Sequence, residues 1–294
     1  MGLGFRSGLC AANFLADKGV SVTVSDQKSE AELGDLIAKL AHNVTVEAGN
    51  QSPELLDQNF DLVVISPGVP KAIPLIKEAE AQNVPVIAEI ELAYAFLKGT
   101  IIAITGTDGK STTTSLTGHI LESLNLHTVV GGNIGIPLIS LVEETTEETV
   151  SVIELSSFQL ETVKDFTPHV GAILNLAPDH LDRYNGMEDY FEAKKRIAMN
   201  QKSGNAFIYN CDDNAVAGGT TEVAAERFGF SITGKAEAAA WFEDGAVWIR
   251  EDEESLKVLD VSTLQIPGLH NVENVMASLL MVRAILKEKN IHPN

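Results

Sequence analysis

Basic side chains are scarce in this sequence. Lys and Arg number 21 against 41 Asp and Glu in 294 residues, a formal charge of −20. A surface of that sign repels polyphosphate backbones, so no nucleic-acid partner is expected. A local phosphate site remains open, because backbone amides and a few cations suffice to build one. Cysteine is nearly missing. Cys10 and Cys211 lie far apart, without metal-ligand spacing, and fit reduced thiols of a cytoplasmic protein. No apolar run reaches the ~18 residues of a membrane span, so no membrane partner is expected. No signal-peptide pattern precedes the first motif. Aromatic residues make up 6% of the chain, so cores drawn from its 45% apolar content must be mostly aliphatic. Internal repeats and low-complexity stretches are absent. The length suits two domains.

The stretch Ile101–Thr114 organises the rest. Ile101 to Ile104 form a four-residue apolar run, which predicts a buried strand. Gly106-Thr107-Asp108-Gly109-Lys110-Ser111-Thr112 follows, then a helical pattern to about Leu124. Strand, glycine loop, Lys-Ser and helix make a phosphate-binding loop. Gly106 and Gly109 allow the backbone to curl, with N–H groups turned toward phosphate oxygens. The helix start adds partial positive charge. Lys110 offers a mobile cation for the outer phosphates, and Ser111 or Thr112 a hydroxyl for Mg²⁺. The usual spacing puts four residues between the glycines and here there are two, so the loop is a shortened variant.

Before this loop, the chain reads as a small parallel α/β domain. Gly2, Gly4 and Gly8 form a glycine turn into a helix over Leu9–Lys18, and Val20–Asp26 alternates like a strand ending in an acid. This is a nucleotide-binding β–α–β pattern whose first strand is missing. It suits an NAD site, a UDP-type site with Asp26 near base or ribose, or a plain structural turn. Val44–Glu47 predicts a short strand and Asp61–Ile65 a buried one, with Ser66-Pro67-Gly68 at its carboxyl end, where open α/β sheets place ligands. A boundary near residue 98 gives domains 1–98 and 99–294.

Beyond the loop, Thr149–Glu154 predicts a strand with an acid at its end, able to hold Mg²⁺ or serve as an ordinary strand terminus. Val170–Leu174 predicts another, running into Asp179-His180-Leu181-Asp182. His180 there suits a metal ligand, a general base or a surface turn. Glu188–Asn200 predicts an amphipathic helix whose cations Lys194, Lys195 and Arg196 ordinarily make a solvated face. Trp241-Phe242 and Val247-Trp248-Ile249 flank Asp244-Gly245, a hairpin signal.

The loop, Gly132-Asn133-Ile134-Gly135, Glu154–Leu160, Asp179–Tyr184, Ala193-Lys194 and Gly268-Leu269-His270-Asn271 follow one another in order. Together they resemble the Mur ligase family, the ATP-dependent amide ligases of peptidoglycan synthesis, and Glu154–Leu160 resembles most closely the D-glutamate-adding member. The resemblance implies an α/β fold, a Rossmann-like parallel-sheet N-terminal domain followed by a P-loop ATPase-like α/β central domain. It implies that ATP phosphorylates the carboxylate of UDP-N-acetylmuramoyl-L-alanine, and that the amine of D-glutamate attacks the acyl phosphate. It implies ATP contacts at Gly106, Thr107, Asp108, Gly109, Lys110, Ser111, Thr112, Asn271 and Asn274. Mg²⁺ would be served by Ser111, Glu154, His180 and Lys194, the last as a carbamate formed with CO₂. Catalytic roles fall to Lys110, His180 and Lys194. The UDP-sugar would meet Phe5, Arg6, Asp26, Gln27, Gly68, Asn133, Ser156, Gln159 and His180.

The sequence departs from the family pattern in three respects. The first strand and the C-terminal domain are absent, so this chain is expected to bind without completing ligation. Asp108 stands where Asn is common. The chain is expected to act as a cytoplasmic monomer. Rival readings are a sibling Mur ligase, a ligase like folylpolyglutamate synthetase, a non-catalytic UDP-sugar-binding fragment and an NAD-dependent oxidoreductase. The run Ser157-Phe158-Gln159 speaks against the two other ligases, and the Lys110 loop against the last.

Overall fold

Short runs of alternating or continuous apolar residues become parallel strands throughout the first part of the chain. The computed structural model describes residues 1–4, 7–70, 72–234, 236–251 and 254–291. Two units separate by their internal contacts. One comprises Met1–Leu97, Gly135–Glu144 and Thr162–Phe166, and the other Lys98–Ile134, Thr145–Glu161 and Thr167–Asn294.

In the first unit, α1 (Ser7–Asp17) leads to β1 (Val22–Asp26), α2 (Glu30–Ile37) and β2 (Val44–Ala48). Ser29 and Glu32 form a capping box at the start of α2, which fixes where that helix begins. After a 3₁₀ turn at Pro53–Gln58 come β3 (Val63–Ile65), α3 (Pro74–Ala81), β4 (Val86–Ala88) and α4 (Glu89–Tyr94). Pro74 opens α3, because a proline suits the first helical turn. β1 pairs with β2, and β3 with β4, all parallel. Each ribbon has its own apolar cluster. Leu9, Val24, Leu33 and Leu36 serve the first, and Leu56, Val63, Ile65 and Ile76 the second. The Glu91 carboxylate accepts the backbone N–H groups of Lys164, Asp165 and Phe166, which ties that distant segment to this unit.

The expected gap before the glycine turn is bridged in part. Met1 donates its amine to the Val64 carbonyl at 2.7 Å and accepts from the Ser66 N–H at 3.1 Å. Gly2 donates to the Ser25 carbonyl at 2.9 Å. Two residues thus bond to both β1 and β3.

The second unit runs β5 (Thr100–Thr105), α5 (Lys110–Ser123), β6 (Thr128–Gly132), β7 (Val150–Glu154), α6 (Ser157–Leu160), β8 (Val170–Ile173) and α7 (Met187–Lys195). It continues through β9 (Ala206–Asn210), α8 (Asn214–Gly219), β10 (Glu226–Ser231), β11 (Ala240–Glu243), β12 (Ala246–Glu251), β13 (Glu254–Asp260) and α9 (Leu269–Glu288). One sheet holds these strands in the order β13-β12-β11-β10-β9-β8-β5-β7-β6. From β6 to β11 neighbours are parallel, and β12 and β13 add an antiparallel edge. Every residue of β5 is buried, as its unbroken apolar run requires of a central parallel strand. Ile102, Ile104, Val152 and Ile208 join Leu121 of α5 and Met276, Leu280 and Ile285 of α9 in one core.

This order decides where a ligand site can form. The chain leaves β5 toward β7 and β6 on one side, and later reaches β8 and β9 on the other. The strand sequence therefore reverses direction beside β5, and the loops at the carboxyl ends of β5 and β8 border a crevice.

Candidate active site

Gly109 begins α5 with φ at +78°, a backbone region that glycine enters without steric cost. A side chain there would also run into the Asn274 carboxamide. The loop Gly106–Gly109 is held from β8's end by Asn175. Its Oδ1 accepts from the N–H groups of Thr107 at 3.0 Å and Asp108 at 2.8 Å, and its Nδ2 donates to the Asp108 carbonyl at 3.0 Å. The expectation that the curled loop turns its N–H groups toward phosphates is corrected for these two amides, since a side chain already satisfies them. The donors left for an anion are those at the start of α5, which precede any intrahelical acceptor. Lys110 folds back, with Nζ 2.7 Å from the Thr107 carbonyl.

Glu154 ends β7 level with Ile104 of β5 and Gly132 of β6. It is buried, with 2% exposure, yet its oxygens face two named donors. Ser111 Oγ donates to Oε2 at 2.7 Å, and Asn133 Nδ2 to Oε1 at 2.8 Å. Gly132 makes the second contact possible. At φ +104° it brings Asn133 N–H to the Glu154 carbonyl at 2.8 Å, in space that a Cβ would occupy. The hydroxyl and carboxylate oxygens of Ser111 and Glu154 are the hard donors that Mg²⁺ takes.

Lys194 contradicts the solvated-face expectation for α7. It is 1% exposed and donates to the Gly106 carbonyl at 2.6 Å. Its ammonium lies 4.4 Å from the centre of the Tyr190 ring. Among the described residues no carboxylate pairs with it. Burial first, and then the Lys110 charge, lower its pKa from 10.5 to about 7. Arg196 is likewise drawn inward, its Nε donating to the Leu160 carbonyl at 2.9 Å.

His180 sits in the loop after β8 with φ at +52°. Its ring is exposed, 4.7 Å from the Phe158 ring and 6.2 Å from Tyr190. Asp179 Oδ2 lies 3.4 Å from Nε2. Tyr190 therefore neighbours both His180 and Lys194. Glu161 steadies the same loop, accepting from Arg183 at 2.9 Å and Tyr184 at 2.6 Å. Ser156 and Gln159 cap α6 reciprocally, each bonded to the other's backbone or side chain at 3.0 to 3.3 Å. Asn274 Oδ1 accepts from Thr113 Oγ1 at 3.0 Å, and its Nδ2 donates to Asn271 Oδ1 at 3.3 Å. Asn274 thus stands beside the first turn of α5, with Asn271 bonded to it.

In the first unit, Asp26 accepts from the backbone N–H groups of Leu3 at 2.6 Å and Lys28 at 2.9 Å, so it braces the glycine turn. Gly68 lies in the turn closed by Val69 N–H to the Ser66 carbonyl at 3.0 Å, and Ser66 Oγ donates to the Gly2 carbonyl. Gln27 follows Asp26 in a bend. Phe5 and Arg6 lie outside the described residues. Sequence reading placed Ser66 at a strand end without its bond to Gly2, and missed Asn175 and Glu161. Asn175 alone carried a signal, a polar side chain directly after a buried strand.

Residues 104–282 match the Mur ligase middle domain, and residues 1–88 the Mur ligase MurD-like N-terminal domain. The chain is 43% identical over 286 residues to the UDP-N-acetylmuramoylalanine--D-glutamate ligase of Acidobacterium capsulatum, covering 96% of this chain and 62% of that protein. It is 43% identical over 280 residues to the enzyme of the same name from Koribacter versatilis, covering 95% and 61%. The chain therefore spans roughly three-fifths of the length of these relatives. Among solved structures, the fold resembles UDP-N-acetylmuramate:L-alanyl-gamma-D-glutamyl-meso-diaminopimelate ligase from Neisseria meningitides. That match has a TM-score of 0.61 and 17% identity, over 97% of this chain and 92% of the other. It also resembles MurF ligase from Thermotoga maritima in complex with ADP, with a TM-score of 0.55 and 17% identity over 97% and 65%. Phosphate loop, parallel-strand order and matched domains agree, and the chain belongs to the Mur ligase family, of which it carries the MurD-like N-terminal domain and the middle domain.

Proposed function

We propose that this chain is the substrate- and ATP-binding part of a ligase that joins D-glutamate to UDP-N-acetylmuramoyl-L-alanine. The reading rests most heavily on the 2.7 Å contact between Ser111 and buried Glu154 beside Lys110. A carboxylate is a poor electrophile until one oxygen becomes a leaving group. Transfer of the ATP γ-phosphoryl group to the alanyl carboxylate gives an acyl phosphate and ADP. The D-glutamate amine then bonds to the acyl carbon, and phosphate departs.

Two anions must meet for the first step, so cationic and dipolar groups have to offset their repulsion. The α5 amides and Lys110 would hold the outer phosphates, and Asn271 and Asn274 the adenine. Ser111 and Glu154 would hold one Mg²⁺, with His180 and carbamylated Lys194 serving a second. Bound Mg²⁺ would supply charge neutralisation on the transferring oxygens. Lys194 fits the carbamate role because an amine with pKa about 7 is substantially neutral at physiological pH. Its nitrogen can then bond to CO₂ with loss of a proton. Asn133, Ser156, Gln159 and His180 would position the muramoyl-alanine. Asp26, Gln27 and Gly68, with Phe5 and Arg6, would receive UDP in an N-terminal domain of residues 1–98, ahead of a central domain of residues 99–294. Neither Cys10 nor Cys211 is in a disulfide, and we place the reaction in the cytoplasm, on a monomer.

Calorimetric titration tests this reading. UDP-N-acetylmuramoyl-L-alanine should bind, and Mg-ATP should bind with it. Binding of neither would overturn the assignment.

A further inference from the structure

The short helix α6 and its C-cap carry two side chains to which the reaction proposed above gives no role. Phe158 and Glu161, the C-cap residue, are three positions apart and share one face. Both meet the loop after β8. The Glu161 carboxylate spans two donors, Arg183 on Oε2 at 2.9 Å and Tyr184 on Oε1 at 2.6 Å. Phe158 receives the Arg183 guanidinium over its ring, 4.1 Å from the centre, and lies nearly parallel to the Tyr184 ring at 6.0 Å. Its centre is 4.7 Å from that of the His180 ring.

The backbone of the same loop residues completes the grip. The N–H groups of Arg183 and Tyr184 both donate to the His180 carbonyl, at 3.0 and 3.2 Å, and Asp179 Oδ1 accepts from the His180 N–H at 2.8 Å. They hold His180 at φ +52°, a left-handed backbone that a residue with a Cβ keeps only where its surroundings enforce it. The exposed His180 ring is oriented from outside its own loop by aromatic contacts, with Phe158 and Tyr190. α6 is itself fixed at its start by the Ser156–Gln159 cap, two residues beyond Glu154. A capped helix thus connects the end of β7 to the loop that carries His180.

We propose that Glu161 and Phe158 are positioning residues that fix His180 relative to Glu154, so that His180 can hold the second metal ion. The inference rests on the His180 role proposed above. Glu161 acts through Arg183 and Tyr184, and Phe158 through the face of its ring. A carboxylate is required at 161 because it accepts from both donors at once. A carboxamide accepts through one oxygen, and its NH₂ group faces the other donor. An aromatic ring is required at 158 because an aliphatic side chain offers no flat face to the His180 ring or the Arg183 guanidinium.

The test is Mn²⁺ titration of the chain in ADP and bicarbonate, with free Mn²⁺ read by electron paramagnetic resonance. The unmodified chain should take up two ions, Glu154→Gln should lose the first, and His180→Ala the second. Glu161→Gln and Phe158→Leu should each weaken the second ion about tenfold, as loss of a group that orients a ligand does. The first ion should stay within about twofold. Phe158→Tyr keeps the ring and should restore the second ion. Unchanged affinity for both ions in Glu161→Gln and Phe158→Leu would overturn the proposal. Equal weakening of both ions would overturn it too, because it marks general loss of structure. A single ion in the unmodified chain, or two in His180→Ala, would remove His180 from the metal set and the proposal with it.

Discussion

The Lys194 ammonium lies 2.6 Å from the Gly106 carbonyl, so a buried cation is fastened to the first residue of the phosphate loop. An ordinary surface lysine gains nothing from such a place. One that must react as a free amine does, because burial withholds its proton.

Carbamate formation on this chain should therefore depend on pH and on this residue. With ¹³C-labelled bicarbonate, a carbamate carbon signal should appear and strengthen as pH rises through about 7. Lys194→Ala should abolish it. For the ligase reaction proposed above, the same change should cut activity at least a hundredfold, with partial recovery on adding short carboxylates. A fully active, unrescued variant would remove Lys194 from the mechanism.

Lys194 also sets a slope in stability. Its folded-state pKa is depressed, so the unfolded chain binds more protons between about 7 and 10.5. Stability should rise with pH across that window, by at most ~1.4 kcal/mol per unit. Lys194→Met should flatten the slope in denaturant titrations made without CO₂.

Glu89 predicts the opposite slope at lower pH. Burial raises its pKa from 4.5 to about 7, despite the hydrogen bond it accepts from Ile139 N–H. The folded state then holds the extra proton, and stability should fall as pH rises from about 4.5 to 7. Glu89→Gln keeps the acceptor and removes the charge. It should raise stability at pH 8 by about 2–3 kcal/mol, measured by urea unfolding.

Asn175→Ala should loosen the loop. The Asp108 N–H and carbonyl lose their partner, and the Thr107 N–H keeps only the Asn175 backbone carbonyl at 3.2 Å, at a cost of ~1–3 kcal/mol. Mg-ATP affinity should fall at least tenfold, because the start of α5 loses its fixed approach. Asp108→Asn should act in the other direction, removing a negative charge beside the phosphates and tightening Mg-ATP several-fold.

Much of this architecture is legible in residue patterns. Ile101–Ile104 demands a buried strand, and Asp244-Gly245 demands the β11–β12 hairpin, where φ is positive at both residues. β13 carries almost no pattern, because Glu254–Val258 are exposed on the edge of the sheet and no burial selects their alternation. α6 is hidden for another reason. At four residues it is too short for periodicity, and only the Ser156–Gln159 cap marks it. The burial of Lys194 is invisible locally, since its neighbours Glu192, Lys195 and Arg196 are as polar as any solvated helix. Tertiary contact with Gly106, 88 positions earlier, decides it. Asn175 shows its place after a buried strand but not its partners, which are distant in sequence and close only through the β5–β8 pairing.

The most direct measurement of the central claim is Mg-ATP titration of the intact chain beside Lys110→Ala and Glu154→Gln. The account predicts binding that needs Mg²⁺, falls at least tenfold without the lysine cation, and loses its Mg²⁺ dependence without the carboxylate. Equal ATP affinity in all three proteins, with or without Mg²⁺, would contradict it.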